Sequence, residues 1–260
     1  MTEYELNVLI DKVSAGDVEA LVTLIDYYLS IGEKKKAELE AERLKYIPHF
    51  LAYRKLANLA FLGTFKEPNY ELAKQYYQKA FDMGDNVSGY NLALLLTKEN
   101  NSSEALKYLT DGVSKDYIPS LKLLASLYLK GDGVTKDLTI SLSLLQKAQE
   151  LGDDSVITPI GKVYYLMGEY DKAFDCFSMG TARKDLDAIY HLGLCYAKGL
   201  GTTQDLNKSR FYYEMGANLN DPNCLYNLSI YYRNGISVEQ NTQLADTLLQ
   251  QAMEHGFKKQ

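Results

Sequence analysis

The sequence predicts an all-α fold, a right-handed solenoid of antiparallel helix pairs. Three observations lead there. Leu124, Tyr128, Gly131, Gly133, Asp137 and Ser141 recur 68 positions later as Leu192, Tyr196, Gly199, Gly201, Asp205 and Ser209, and self-similarity at a fixed offset marks a repeat architecture. Apolar residues fall at helical spacing, with no alternating strand pattern and only five prolines in 260 residues. A small residue also recurs at one place in every unit, as close ridge-into-groove packing of two helices requires.

The elements follow in order. Residues 3–15 set Leu6, Leu9, Ile10 and Val13 on one helical face. This lone helix is expected to cap the array, because an exposed end unit needs a polar outer face. Seven helix pairs follow, at about 17–48, 49–84, 85–116, 117–152, 153–184, 185–220 and 221–257, all in one repeat domain. Each first helix carries a marker near its end: Tyr28, Ala60, Leu96, Tyr128, Tyr164, Tyr196 and Tyr232. Each second helix carries the small residue near its start: Ala37, Ala73, Ala105, Ser141, Ala173, Ser209 and Ala245.

The distance from each small residue to the next marker is always 23 positions, whereas from marker to small residue it is either 9 or 13. Helix lengths and the joint between pairs are therefore constant, and only the turn inside a pair varies, by four residues. The long turns LGTFKEPN, KGDGVTKD, KGLGTTQD and NGISVEQN end on Asn69, Asp137, Asp205 and Asn241, where an N-cap is wanted. In one short turn Asn101 with Glu104 fits a capping box. Ala57, Ala93, Ala125, Gly161 and Gly193 mark a second close approach, with Gly193 expected against Ser209 or Phe211 and Tyr212. Gly201→Leu is expected to cost less than Gly193→Leu unless the φ of Gly201 is positive.

The stretches YNLSIYYRNGISVEQN, YHLGLCYAKGLGTTQD and LLASLYLKGDGVTKD resemble the Sel-one-like repeat, a relative of the tetratricopeptide repeat. Residues 119–256 carry the pattern by identity and 17–118 more by register. Thr202 stands where valine is usual, and Gly235 is followed by Ile236 and Ser237 without the second glycine. The resemblance implies a binding scaffold of the kind used as adaptors in signalling and quality control, and in bacteria in host interaction and as immunity proteins against secreted toxins. Catalysis is not a common property of that family.

Composition narrows the function classes. A net charge of −6 argues against general nucleic-acid binding, which needs a basic face. No apolar run approaches the ~20 residues of a membrane helix. The start, TEYELNVLIDK, has no basic region before an apolar one, so the expected location is cytoplasmic. Cys176, Cys195 and Cys224 lie in helical patterns of different units and read as buried reduced thiols. There is no HExxH, phosphate-binding GxxxxGK[ST] or paired CxxC, and KGDGVTKD lacks the order of a calcium loop. His49, His191 and His255 are scattered. His191 stands where equivalent positions hold Asn91 and Asn227, which fits a structural bond to a neighbouring helix end. No catalytic residue, metal or cofactor is expected, and the chain does not read as an enzyme.

In such a solenoid the first helices line the concave side. Helical geometry then turns a defined set of positions inward, with Arg54, Phe61, Tyr90, Leu94, Lys122, Leu129, Lys162, Tyr165, Tyr190, Leu194, Tyr226, Ile230 and Arg233 as the candidate partner-binding residues. Asp26 is the only acidic residue of the inward set. A dispersed basic stripe of Arg54, Lys122, Lys162 and Arg233 is thus expected, over an apolar floor of Leu94, Leu129, Leu194 and Ile230. The tyrosines at 90, 190 and 226 fit two readings, packing on the next unit or meeting a partner. The function expected is a monomeric protein–protein interaction scaffold that takes an acidic or Tyr/Leu-rich segment in its concave groove. The alternatives are an immunity protein, for which an acidic chain would steer a basic toxin domain, and a regulatory subunit of an enzyme complex.

Overall fold

A computed structural model describes residues 1–258, and among these there are helices and turns but no strand. The chain forms two compact units, one of residues 1–127 with 131–135, the other of 128–130 with the residues from 136 on. The first unit holds α1 (Glu3–Ser14), α2 (Val18–Ser30), α3 (Lys34–Leu44), α4 (Phe50–Leu62), α5 (Tyr70–Asp82), α6 (Asn86–Lys98), α7 (Ser102–Ser114) and most of α8 (Ile118–Lys130). The second holds the end of α8, then α9 (Leu138–Glu150), α10 (Ile157–Met167), α11 (Tyr170–Ala182), α12 (Leu186–Lys198), α13 (Leu206–Ala217), α14 (Pro222–Asn234) and α15 (Thr242–Glu254). The order is that of an α-solenoid: a lone first helix, then first and second helices in alternation. Thr2 and Glu5 form a capping box at the start of α1, whose buried residue is Val13.

The small residue early in each second helix is completely buried in every case, from Ala37 to Ala245. The second close approach is tight as well. A Cβ on Gly161 would lie 2.8 Å from Cys176 Cβ, and one on Gly193 would lie 2.7 Å from Tyr213 Cε1. The partner of Gly193 is therefore Tyr213, one residue beyond the expected span, because Tyr212 turns instead to stack on Tyr196.

The turns inside pairs share one device. The N–H of the N-cap residue donates to the carbonyl of the marker: Glu33 to Tyr28, Asn101 to Leu96 and Glu169 to Tyr164 in the short turns, at 2.8–3.0 Å. Asn69 to Ala60, Asp137 to Tyr128, Asp205 to Tyr196 and Asn241 to Tyr232 do the same in the long turns, at 2.8–2.9 Å. Four extra residues thus leave both ends of the turn where they were. The side chains of Asn69, Asp137, Asp205 and Asn241 all accept backbone N–H bonds at their helix starts. The Asn101 capping box does not form: its side-chain amide donates to the Glu104 carboxylate, leaving the backbone uncapped by it. Ser237 takes φ +54°, matching Gly133 (+70°) and Gly201 (+67°), so this loop keeps the left-handed turn without the second glycine.

Five of the six joints between pairs use the same bond as the short turns. The N-cap N–H donates to the carbonyl five residues back, as in Asp85 to Ala80, Asp153 to Ala148, Asp185 to Gly180 and Asp221 to Gly216, at 3.0–3.2 Å. In those five the residue before the cap sits at positive φ, including the non-glycines Asp116, Lys184 and Asn220; at the sixth, Pro48 precedes the His49 cap, whose N–H donates to the Ile47 carbonyl. Residues eight apart across the joint are buried: Ala80 and Ser88, Gly112 and Ser120, Gly180 and Ala188, Gly216 and Cys224. These are small because the helices nearly touch there; a Cβ on Gly180 would lie 2.6 Å from Ala188 Cβ.

Candidate interaction surface

On each first helix the buried residues include an apolar–small pair, as with Leu192 and Gly193 of α12 or Leu228 and Ser229 of α14. The positions flanking that pair lie at the edge of the core, and Tyr165, Tyr190 and Tyr226 pack against it. Nearly all of the inward set predicted from the sequence is half-buried, including Phe61, Tyr90, Leu94, Lys122, Leu129, Leu194 and Ile230, whereas Asp26 and Arg233 are exposed. Thr158 departs from it: it is buried against Gly180, within the joint.

The charges on this face are not free. Arg54 Nη1 lies 2.9 Å from Asp85 Oδ1, the N-cap carboxylate of α6. Lys162 Nζ lies 2.7 Å from Asp187 Oδ2 in the first turn of α12, and Arg233 Nη2 lies 2.7 Å from Asp246 Oδ1 on α15. Asp26 is engaged by Lys55. The expectation that only Asp26 opposes the basic stripe is therefore corrected. Its opponents come from neighbouring helices 13 to 31 positions away in the chain, which first-helix positions alone do not reveal.

The aromatic residues pack on the chain itself while keeping an exposed side. Tyr90 meets Tyr117 edge-on at 6.1 Å between centroids, and Tyr226 stacks on Phe257 at 4.2 Å. Tyr190 sits near Tyr213 of α13 (6.4 Å). Phe61 and Tyr165, each one residue past its marker, lean on Tyr70 and Tyr170, each one past its N-cap, both at 5.6 Å.

His191 lies within this face of the second unit. Its ring stacks on Phe177 (4.7 Å, 11° between planes) and meets Tyr190 edge-on at 5.0 Å. Burial, then the Lys162 charge, lowers its pKa to about 4, against the opposing pull of Asp187 and Asp185. Nδ1 is buried without a hydrogen-bond partner among the described residues, so His191 serves as a packed ring and not as the helix-end bond expected of it. The three cysteines are free. Burial holds the Cys195 thiol up at about 11 and raises Cys176 too, which suppresses the thiolate form. Among the described residues no cluster of His, Cys, Asp or Glu is arranged to hold a metal, and no helix is long and apolar enough to cross a membrane.

Helix pairs that repeat one packing register, with a small buried residue at the same place in each, define the class of helical repeat proteins. The family model for the Sel1 repeat matches residues 51–85, 118–153, 186–221 and 222–257, and the chain belongs to that family. The four matches coincide with the pairs that have long turns. The chain is similar in structure to a Sel1 repeat protein from Oxalobacter formigenes, with a TM-score of 0.73 and 22% identity over 90% of this chain and 99% of that one. It is also similar to c5321, a protective antigen of uropathogenic Escherichia coli strains with an SLR fold, with a TM-score of 0.78 and 20% identity over 95% of this chain and 57% of that one. The immunity protein Pa5087 of Pseudomonas aeruginosa overlaps with a TM-score of 0.45 at 22% identity, over 76% of this chain and 74% of that one, which supports no inference. At these identities the likenesses show the fold alone. No curated protein sequence matches the chain.

Proposed function

We propose that this Sel1-repeat chain is a non-catalytic scaffold that holds a partner protein along its first-helix face. The observation that supports the reading is positional: the same places on successive first helices carry half-exposed Tyr, Phe, Leu and Ile side chains at the edge of the core. Aromatic residues with a fixed, partly buried base are the residue type that dominates interface hot spots. Arg54, Lys162 and Arg233 already have carboxylates, so the preferred partner segment is Tyr/Leu-rich and not acidic. The test is quantitative affinity purification from the source cells, comparing the native chain with Tyr190→Ala/Leu194→Ala. A partner recovered with the native chain should be depleted roughly tenfold with the variant. Equal recovery, with circular dichroism unchanged, would place the partner elsewhere.

A further inference from the structure

We propose that the cavity beside Ala60 is a socket for one aromatic side chain of a partner polypeptide, flanked in that partner by lysine or arginine. It lies against α3, α5 and the α4–α5 turn, apart from the first-helix face.

The marker position explains the cavity. It holds Tyr or Leu in six pairs and a small residue only at Ala60. In the α12–α13 pair the marker ring, Tyr196, stacks on Tyr212 (5.6 Å, 7° between planes), meets Phe174 edge-on at 5.4 Å, and has Lys208 Nζ 5.1 Å from its centroid. The repeat register aligns Tyr76 with Tyr212, Leu72 with Lys208 and Glu38 with Phe174. Those three residues line a cavity of about 190 Å³, together with Leu56, Leu59 and Phe65. The cavity is therefore the space that Tyr196 fills from its own chain in the other pair. Tyr76, whose ring also stacks on Tyr53 at 6.3 Å, lines this cavity at the place from which Tyr212 stacks on Tyr196.

The turn beside the cavity makes contacts that the other long turns do not. In other long turns the third residue leans on the preceding second helix: a Cβ on Gly133 would lie 2.6 Å from Ser102 Cβ, and Ser237 Oγ donates to the Leu206 carbonyl at 3.2 Å. Here that residue is Phe65, which packs on the core of the first unit and lines the cavity, and the turn is drawn in on itself. The Cβ site of Gly63 is 2.6 Å from Pro68, against 3.2 Å or more from any neighbour at the matching Gly199 and Gly235.

Size and charge choose the occupant. A 150 Å³ apolar cavity holds benzene, and small-molecule sites run to roughly 300–1,000 Å³; the socket therefore suits a single ring and not a cofactor-sized ligand. Leu72, 38% exposed on its wall, loses water when a ring enters. The rim carries Glu38, Glu42 and Glu67 against Lys45 and Lys66, and Lys45 is held by Glu42 at 2.6 Å. One carboxylate remains in excess, with Glu38 standing where the other pair has a ring. A cation next to the incoming aromatic complements it.

The experiment is an NMR titration of the whole chain with N-acetyl-Lys-Tyr-Lys-amide, alongside the Lys-Ala-Lys and Glu-Tyr-Glu analogues. Amide shifts are expected within residues 38–45, 56–67 and 72–76 for the first peptide, with roughly tenfold weaker binding of either analogue. Ala60→Tyr should fold, melt higher and lose the response. Glu38→Lys should invert the preference between the Lys- and Glu-flanked peptides, a readout that stands even if Ala60→Tyr does not fold. No shift at millimolar peptide, a response that survives in folded Ala60→Tyr, or an unchanged preference in Glu38→Lys would each overturn the proposal. Tyr190→Ala/Leu194→Ala should bind the peptide normally, so failure of the socket and failure of the first-helix reading are separable.

Discussion

The turn inside a pair and the joint between pairs do the same job, reversing the chain between packed helices, yet they tolerate change differently. Inside a pair, a five-residue or a nine-residue step from the marker ends on the same carbonyl, as Glu169 to Tyr164 and Asp205 to Tyr196 show. At the joint, the hydrogen bond and the buried contact are tied to one count: Asp185 must reach Gly180 while Ala188 packs on it. Variation is admitted where only a backbone bond must be remade, and excluded where a bond and a steric contact share one register.

The strongest way to break this contrast is a one-glycine insertion at each place. Between Lys184 and Asp185 it rotates the face of α12 by about 100° against its neighbours, with an expected loss of ~4 kcal/mol or more, the scale of deep core disruption. Between Thr202 and Thr203 it lengthens an existing loop, at about 1 kcal/mol or less. Urea unfolding of both variants measures the difference, and equal losses would erase the distinction.

Packing away from both ends is tested by pH. The lowered pKa of His191, about 4 against 6.5, means that the folded chain prefers the neutral ring. Its contribution is complete above pH 6.5 and is lost as the pH falls toward 4, to the extent of ~3 kcal/mol, at 1.36 kcal/mol for each unit. Unfolding midpoints of the native chain and His191→Asn should therefore converge or cross over that range; parallel curves would show that the ring is already hydrated.

A smaller effect separates glycines. Gly201 has φ +67°, and a Cβ there would press on the Tyr170 carbonyl. The condition under which it was expected to be the cheaper site is not met. Gly201→Ala should cost about 2 kcal/mol, positive-φ strain plus a contact with backbone that cannot swing aside. Gly193→Leu, which meets the Tyr213 ring, should cost a similar amount. The smallest effect is a gain: Lys184→Gly relieves φ +61° at a joint and should add up to ~1 kcal/mol, read as a rise in Tm.

The helices, the constant joint and the variable turn were legible in the sequence because each is local. Marker, N-cap and small residue lie within one pair, so counting positions recovers the hydrogen bonds that join them. Asn101 failed as a cap because Glu104 competes for its side chain, an outcome that the residue types allow but do not decide. The ion pairs of Arg54, Lys162 and Arg233 depend on which helices become neighbours and at what rotation, and no period in the sequence records that. Ala60 was visible as the odd member of the marker series, yet its meaning came only from seeing what surrounds Tyr196.

The shared marker carbonyl has a consequence for inheritance. A gain or loss of four codons in the turn returns the chain to the same acceptor, so it is an edit that selection can leave standing. The same change in a joint would be purged. A gene of this kind can be lengthened by whole units and respelled inside each turn away from its left-handed glycines, and such exposed places, Lys66 and Glu67 among them, are where new recognition can arise without rewriting the core.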